Sequence, residues 1–192
     1  MKCAVMISIR PKWCELIASG KKTIEVRKTV PRLPAPFKCY IYEAQGPIET
    51  PWVDEDGHMV FKGRGMVIGE FICDTVYSVN AEHVPYLKDA FLGISCDDFL
   101  RKSCLSAYEL LDYLTAPDKQ VSIDYRPGYG WHISGLVIYD KPKELSEFRG
   151  ICTKQYCHDT CKKFRDRTCD PGVGGKYTIT RPPQSWMQVE EL

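Results

Sequence analysis

Four residues of types that bind or act on ligands follow one another closely: Gly20, Lys22, Glu25 and Arg27. Glu25 and Arg27 are two positions apart, so their side chains leave the same face of a strand. A carboxylate beside a guanidinium offers hydrogen-bond acceptors and a donor fork together, which suits the edge of a nucleobase better than a bare phosphate. Lys22 adds a flexible ammonium that can reach a phosphate or carbonyl oxygen. The alternative, for the strand alone, is an exposed Glu25–Arg27 ion pair worth less than about 1 kcal/mol.

The elements that carry these residues are predicted from local patterns. Ala4–Ile9 is rich in strand-forming residues and predicts a half-buried strand. A short helix follows, because Pro11 precedes apolar residues at helical spacing and Gly20 closes the segment. Gly20 is expected to adopt a positive φ and turn the chain sharply. Thr23–Lys28 then alternates strictly, which predicts a strand with one apolar side and one charged side that carries the motif residues.

The rest of the chain contains further strand patterns and one helical block. Strands are predicted at Phe37–Tyr42, Met66–Tyr77, Val121–Asp124, Trp131–Tyr139, Tyr177–Thr180 and Trp186–Val189. A hairpin is predicted around Asp56 and Gly57, and Gly69 is interpreted as a bulge. The helical block covers about residues 80–115, and Ser106 with Glu109 predicts a capping box at its last helix.

These elements predict an α+β fold. Six or seven strands, a helix after the first strand and a helical insertion fit a small closed or nearly closed barrel, because closure removes exposed strand edges. A length of 192 residues suits one domain. We expect residues 1–150 to form the barrel with its insertion, and residues 151–192 to add a cysteine-rich segment and terminal strands to the same domain.

Composition excludes some classes of protein. With 44% hydrophobic and 27% charged residues and a net charge of +1, the chain is not a disordered polyelectrolyte. Between Arg10 and Lys38 there are eight Lys or Arg and two Glu; this flank either steers a polyanion or is a plain solvated face. The N-terminal apolar run is too short for a signal peptide, and no stretch approaches the roughly 18 apolar residues of a membrane span. We therefore expect a cytoplasmic protein with reduced thiols and no membrane partner.

Four cysteines near the C-terminus could hold a metal. Cys152, Cys157, Cys161 and Cys169 are spaced C-x4-C-x3-C-x7-C, and four thiolates can close a tetrahedral zinc site. The spacing contains none of the usual C-x2-C pairs, so a loop of free thiols is the alternative. Four basic residues in the same stretch would extend a nucleic-acid footprint: Lys162, Lys163, Arg165 and Arg167.

The segment Arg10–Ile17, followed by Gly20–Arg27, resembles the ASCH domain, a relative of the PUA-like barrels. The family signature G-x-K-x-x-E-x-R follows a short helix, and all four of its fixed positions match here. Three later runs resemble phage and prophage members of the group: Gly130–Ser134, Tyr139–Pro142 and Thr180–Trp186. The resemblance implies a PUA-like barrel that binds RNA or a nucleotide-like ligand in a cleft lined by the motif.

A second function is implied by a subgroup of ASCH proteins that resemble amidohydrolases acting on acetylcytidine. Their lysine base matches Lys22, and Glu109 is a loose match for their glutamate. Glu25 stands where the subgroup has its threonine nucleophile, and a carboxylate cannot simply replace a hydroxyl in amide cleavage. It would have to activate a water, with Lys22 stabilising the developing charge on oxygen. For Glu109 the alternative role is the capping box with Ser106. Whether the chain is an enzyme therefore stays open.

Other side chains complete the predicted ligand set. Trp13 or Trp131 could supply a stacking surface worth about 1–3 kcal/mol per base, and Lys12 neighbours Trp13. His132 could line the cleft or be a core histidine. The expected partner is RNA or a modified nucleoside; a protein-interaction adaptor using the acidic residues 54–56 is a third class.

Overall fold

The computed structural model describes residues 2–45, 47–53, 57, 59–80, 89–115, 126–152, 161, 163, 169 and 175–192. The helices are α1 Pro11–Ala18, α2 Cys96–Ser103 and α3 Ala107–Leu114, with a 3-10 helix at Leu145–Glu147. The strands are β1 Cys3–Ile9, β2 Ile24–Arg27, β3 Phe37–Glu43, β4 Pro47–Val53, β5 Met59–Lys62, β6 Val67–Cys73, β7 Val76–Val79, β8 Phe91–Leu92, β9 Gly128–His132, β10 Ser134–Lys143, β11 Arg149–Ile151, β12 Lys176–Thr178 and β13 Trp186–Glu190.

The chain forms two compact units, each made of separate segments. The first unit comprises Met1–Glu15, Phe37–Phe71 and Leu136–Leu192, and the second comprises Leu16–Pro36 and Ile72–Gly135. The expectation of a single domain with a change of character near residue 150 stays a prediction.

The first unit is built on a seven-stranded sheet with the order β10-β6-β3-β1-β13-β11-β12. β1 lies at its centre, parallel to β3 and antiparallel to β13. Met6 and Tyr40 from these central strands pack with Val67 and Phe148 in one apolar core. β4 and β5 form a separate antiparallel pair.

The second unit has a four-stranded sheet with the order β2-β9-β7-β8. Its core forms where Phe99 of α2 and Leu110 of α3 pack with Ile24 and Val26 of β2. Gly130 permits this approach, since a Cβ there would lie 2.4 Å from the Phe99 ring. The apolar side predicted for β2 is thus the side that meets the helices.

The α+β class is confirmed, whereas a closed barrel is not. Among the described strands the order of each sheet is linear, and the seven-stranded sheet ends at β10 and β12. Two predicted strands were also too long. Residues 66–77 form β6 and β7 in different sheets, and residues 131–139 are divided between β9 and β10. The first run is interrupted at Asp74 and Thr75, and the second contains Gly135, with φ 54°, near the start of β10. Strand-forming residues on both sides of these short breaks led the prediction to join the strands.

Several local predictions can be compared with the structure. The predicted hairpin is present as β4 and β5, and Gly57 between them has φ +84°; Asp56 lies outside the described residues. Gly69 marks a close backbone approach, because a Cβ there would lie 2.4 Å from the carbonyl oxygen of Val137. The strand predicted at 121–124 lies outside the described residues. Of the helices in the described part of the chain, none has the length and apolar character that crossing a membrane requires.

Candidate functional site

A tight turn leads from α1 to the motif strand β2. α1 ends at Ala18, and Gly20 has φ +73°, which confirms the predicted left-handed turn. The Gly20 N–H donates to the carbonyl of Ile17 at 2.9 Å, and the Lys22 N–H donates to the carbonyl of Leu16 at 2.8 Å. The turn therefore fixes the backbone of Lys22 at the entrance to β2.

The Lys22 side chain is buried, with 2% of its surface exposed. Its Nζ donates to the carbonyl oxygen of Ser103 at 2.6 Å and lies 3.4 Å from Oε2 of Glu25. Ser103 ends α2, so its carbonyl is one of the last four that have no partner within the helix, and it carries part of the negative end of the helix dipole. Lys22 is thus an anchored cation, and of the two acceptors expected for its ammonium, a phosphate or a carbonyl oxygen, the structure shows the carbonyl oxygen.

Further bonds hold the end of α2 against the same turn. The Thr23 N–H donates to the carbonyl of Lys102 at 2.9 Å, and the Cys104 thiol donates to the carbonyl of Lys21 at 3.4 Å. Cys104 adopts a left-handed conformation, with φ 55°, that ends the helix. The carbonyls of Lys102 and Ser103 both accept hydrogen bonds from residues 22–23, so the end of α2 is bonded directly to the turn.

Glu25 joins the two cations of the motif. Its Oε1 lies 3.0 Å from Nη2 of Arg27, and its Oε2 faces Lys22. Glu25 is 5% exposed, and the Arg27 side chain is 12% exposed, so the exposed ion pair considered above is not what forms. Lys22 and Glu25 are buried and Arg27 is largely buried, and together they form a triad with one positive charge in excess.

Tyr113 and Lys28 complete the site, and both were missed from the sequence. The Arg27 side chain and the Lys28 backbone hydrogen-bond to the Tyr113 hydroxyl, and burial raises the pKa of that hydroxyl despite these bonds and the charge of Arg27. The Lys28 ammonium lies 4.8 Å from the centre of the Tyr113 ring, a favourable cation–π contact. Tyr113 belongs to α3, more than 80 positions after the motif, and no local pattern pairs it with Arg27. We call Lys22, Glu25, Arg27, Lys28 and Tyr113 the Lys22 cluster.

Trp131 and His132 occupy opposite faces of β9, because neighbours in a strand alternate. Trp131 pairs with Glu25 across the sheet and is fully buried, so its ring packs inside the unit and offers no open stacking surface. His132 is half-buried, and its Nδ1 lies 2.6 Å from Oδ1 of Asp74. Bonds from His132 and Ser134 outweigh the effect of burial and lower the pKa of Asp74. His132 is therefore hydrogen-bonded to Asp74 on the face away from Glu25.

Glu109 lies on the exposed side of α3. Its Oε2 accepts bonds of 2.8 Å from both the backbone N–H and the hydroxyl of Ser106, and the Glu109 N–H donates to Ser106 Oγ. The predicted capping box is thus confirmed. Glu109 is four residues from Tyr113, on the same side of the helix. Its capping bonds give it a structural role, while the catalytic role stays a prediction.

Lys12 and Trp13 lie on α1 in the part assigned to the first unit. The Lys12 ammonium is 4.8 Å from the centre of the half-buried Trp13 ring. The predicted part of both residues in ligand binding stays a prediction.

The tail cysteines are described only in part. Cys152, Cys161 and Cys169 are half-buried thiols, and Cys157 lies outside the described residues. Within the described ranges, no three His, Cys, Asp or Glu side chains are arranged to hold a metal ion. Zinc binding by the four cysteines therefore stays a prediction. Of the second basic patch, only Lys163 is described, with its ammonium over the ring of Tyr177; residues 162, 165 and 167 and the acidic residues 54–56 lie outside the described ranges.

Comparisons with known proteins bear on the fold. Neither family models nor curated proteins gave a match to the sequence. Among solved structures, the chain is similar to ASCH from Zymomonas mobilis, with a TM-score of 0.53, 17% identity, and coverage of 98% of this chain and 88% of that one. A point mutant of the same protein gives a TM-score of 0.51 at 17% identity, with 98% and 91% coverage. At this identity the likeness concerns the fold alone: the chain has an ASCH-like fold, as the motif predicted.

Proposed function

We propose that the second unit binds RNA or a nucleotide-like ligand at the Lys22 cluster. The observation that carries the proposal is the largely buried Lys22–Glu25–Arg27 triad, which has one positive charge in excess. Burying a charged side chain costs on the order of several kcal/mol, and an ion pair offsets that cost only when its geometry is good. Glu25 balances one cation of the triad. Two cations beside one carboxylate give this part of the unit a positive potential that attracts anions, and a phosphate group is such an anion.

The position of the cations favours a ligand that approaches from the side of Arg27. Lys22 is directed inward to Ser103, whereas Arg27 is partly exposed and Lys28 lies beside it. A guanidinium has five N–H donors in a planar fork, and this geometry matches the oxygens of a phosphate group. In this partly desolvated position its attraction to an anion is stronger than in bulk water. Arg27 and Lys28 are the residues proposed to touch the phosphate.

The roles within the motif differ from those expected from the sequence alone. Both oxygens of Glu25 have cationic partners, so Glu25 acts chiefly by orienting Arg27. Lys22 holds Glu25 and the end of α2 in place. The motif thus supplies a rigid support for one guanidinium, which suits binding because little side-chain entropy is lost when the ligand arrives.

The proposal is tested by binding of a fluorescently labelled single-stranded RNA to Arg27→Gln and to a matched control. Arg32→Gln removes an exposed charge from the same basic flank. We expect Arg27→Gln to weaken binding about tenfold, since a charge-assisted hydrogen bond contributes about 1.5–3 kcal/mol, and Arg32→Gln to change it little. Equal losses in the two variants would point to a diffuse basic surface. Absence of binding by the unmodified chain to RNA and to mononucleotides would reject the proposal.

Hydrolysis of a modified nucleoside such as acetylcytidine is the second candidate. The observation in its favour is the 3.4 Å contact between Lys22 and Glu25, the two groups that the hydrolytic scheme requires together. The test is release of cytidine from acetylcytidine, followed by mass spectrometry for the unmodified chain and for Glu25→Gln. Product formed by the unmodified chain alone would support hydrolysis, and product formed equally by both would exclude Glu25 from the reaction.

A further inference from the structure

Tyr113 is held in place unusually firmly for an exposed aromatic residue. It keeps 38% of its surface exposed, yet its hydroxyl bonds to the Arg27 side chain and the Lys28 backbone. The Lys28 ammonium also lies over its ring, 4.8 Å from the centre. Three contacts with two adjacent residues, Arg27 and Lys28, therefore hold the hydroxyl and the ring of a side chain that still faces solvent.

A fixed and exposed aromatic ring is suited to stacking. Each nucleobase has a flat apolar face, and stacking on a protein aromatic ring is favourable for every base. A ring that is already ordered loses little conformational freedom when it is covered by a ligand. Lys28 lies over the Tyr113 ring, and the 38% of the side chain that is exposed is the part that a flat ligand can cover.

We propose that the exposed ring of Tyr113 is the stacking surface for the base of the bound ligand, while Arg27 and Lys28 bind its phosphate. This inference rests on the proposed function and narrows it to ligands that carry both a phosphate and a base. The hydroxyl of Tyr113 contacts the same guanidinium that is proposed to touch the phosphate, so the two parts of the site are adjacent. A nucleotide, free or within an RNA chain, has its base and phosphate joined by a single ribose, and it matches this arrangement.

The test compares AMP with ribose 5-phosphate, which has the same phosphate and sugar but no base. Affinities are measured by isothermal titration calorimetry for the unmodified chain and for Tyr113→Leu, Tyr113→Phe and Tyr108→Leu. Tyr113→Phe keeps the ring, and Tyr108→Leu removes a more exposed tyrosine from the same helix, α3. Thermal melting of each variant checks that it is folded.

We expect the unmodified chain to bind AMP about tenfold more tightly than ribose 5-phosphate. Tyr113→Leu is expected to remove that difference by weakening AMP binding beyond any loss that it shares with Tyr113→Phe, which lacks the same hydroxyl. Tyr113→Phe and Tyr108→Leu are expected to preserve the difference. Equal affinity of the unmodified chain for the two ligands would overturn the stacking role and leave the phosphate site standing. An equal loss of affinity for both ligands in Tyr113→Leu would also overturn the stacking role, because Tyr113 would then act only by positioning Arg27. Absence of binding to AMP, ribose 5-phosphate and RNA alike would reject the proposed function itself.

Discussion

The Lys22 ammonium donates a 2.6 Å hydrogen bond to the carbonyl oxygen of Ser103, 81 positions further along the chain. This bond joins the start of β2 to the end of α2, and both of its residues are buried. The residue that gives the motif its first positive charge is therefore also a structural tie within the second unit. Changes at Lys22 will alter stability, whatever their effect on a ligand, whereas changes at the partly exposed Arg27 are better suited to testing binding.

Replacing Lys22 with methionine should destabilise the chain strongly. Lys22→Met leaves the Ser103 carbonyl without this donor and removes one of the two cations that face Glu25. Removing one partner of a buried ion pair lowers the stability by about 3–5 kcal/mol. Urea unfolding measures the loss, and Lys21→Met, at an exposed neighbour, should change stability by less than about 0.5 kcal/mol. Similar stabilities for the two variants would show that the buried contacts of Lys22 contribute little.

Lys22 and Glu25 should also be energetically coupled. In a double-mutant cycle, Lys22→Met and Glu25→Gln each remove one partner, and the double variant removes both. We expect the double variant to lose less stability than the sum of the single losses, by about 1–3 kcal/mol, because a buried charge that has already lost its partner is cheaper to neutralise. Additive losses would mean that the 3.4 Å contact carries no net interaction, and that Lys22 acts through Ser103 alone.

Local features were predictable from the sequence, and long-range ones were not. The strand at residues 4–9, the helix after Pro11, the left-handed Gly20 and the Ser106–Glu109 capping box each depend on neighbouring residues, and all are present. The alternation in β2 correctly separated two faces. It could not show that the charged face is buried, because the elements that surround it come from distant parts of the chain. A solvated pattern and a buried triad look identical in eight residues of sequence.

The place of Tyr113 in the site could not be predicted from the sequence either. Its identity and helical position were readable, but its bond to Arg27 depends on how α3 packs beside β2. Trp131 is the opposite case: it was predicted as a possible stacking surface, and tertiary packing buries it completely. Aromatic residues near a basic motif are easily found in a sequence, whereas their exposure is decided by tertiary structure.

The four tail cysteines are predicted to bind zinc. We expect about one zinc per chain by elemental analysis of protein purified without chelator, because four thiolates satisfy a tetrahedral site. Cys157→Ser should lower the zinc content, and Cys104→Ser, at a thiol in the α2 end, should not. Metal-free protein whose tail thiols all react freely with a thiol reagent would show that the prediction was wrong.

Part of the stability of the first unit should depend on the ionisation of Glu70, and should therefore change at acid pH. Burial alone would raise the pKa of Glu70, but bonds from Tyr139 at 2.5 Å and Lys38 at 3.0 Å outweigh it and lower that pKa. A lowered pKa means that this contribution is present above the unfolded value of about 4.3 and is lost as pH falls through the folded value. Glu70→Gln cannot titrate, so the unmodified chain should exceed it in stability by about 1–2 kcal/mol at pH 7, and the gap should shrink below about pH 4. Urea unfolding of both proteins between neutral and acid pH measures this gap, and a gap that stays constant with pH would contradict the lowered pKa.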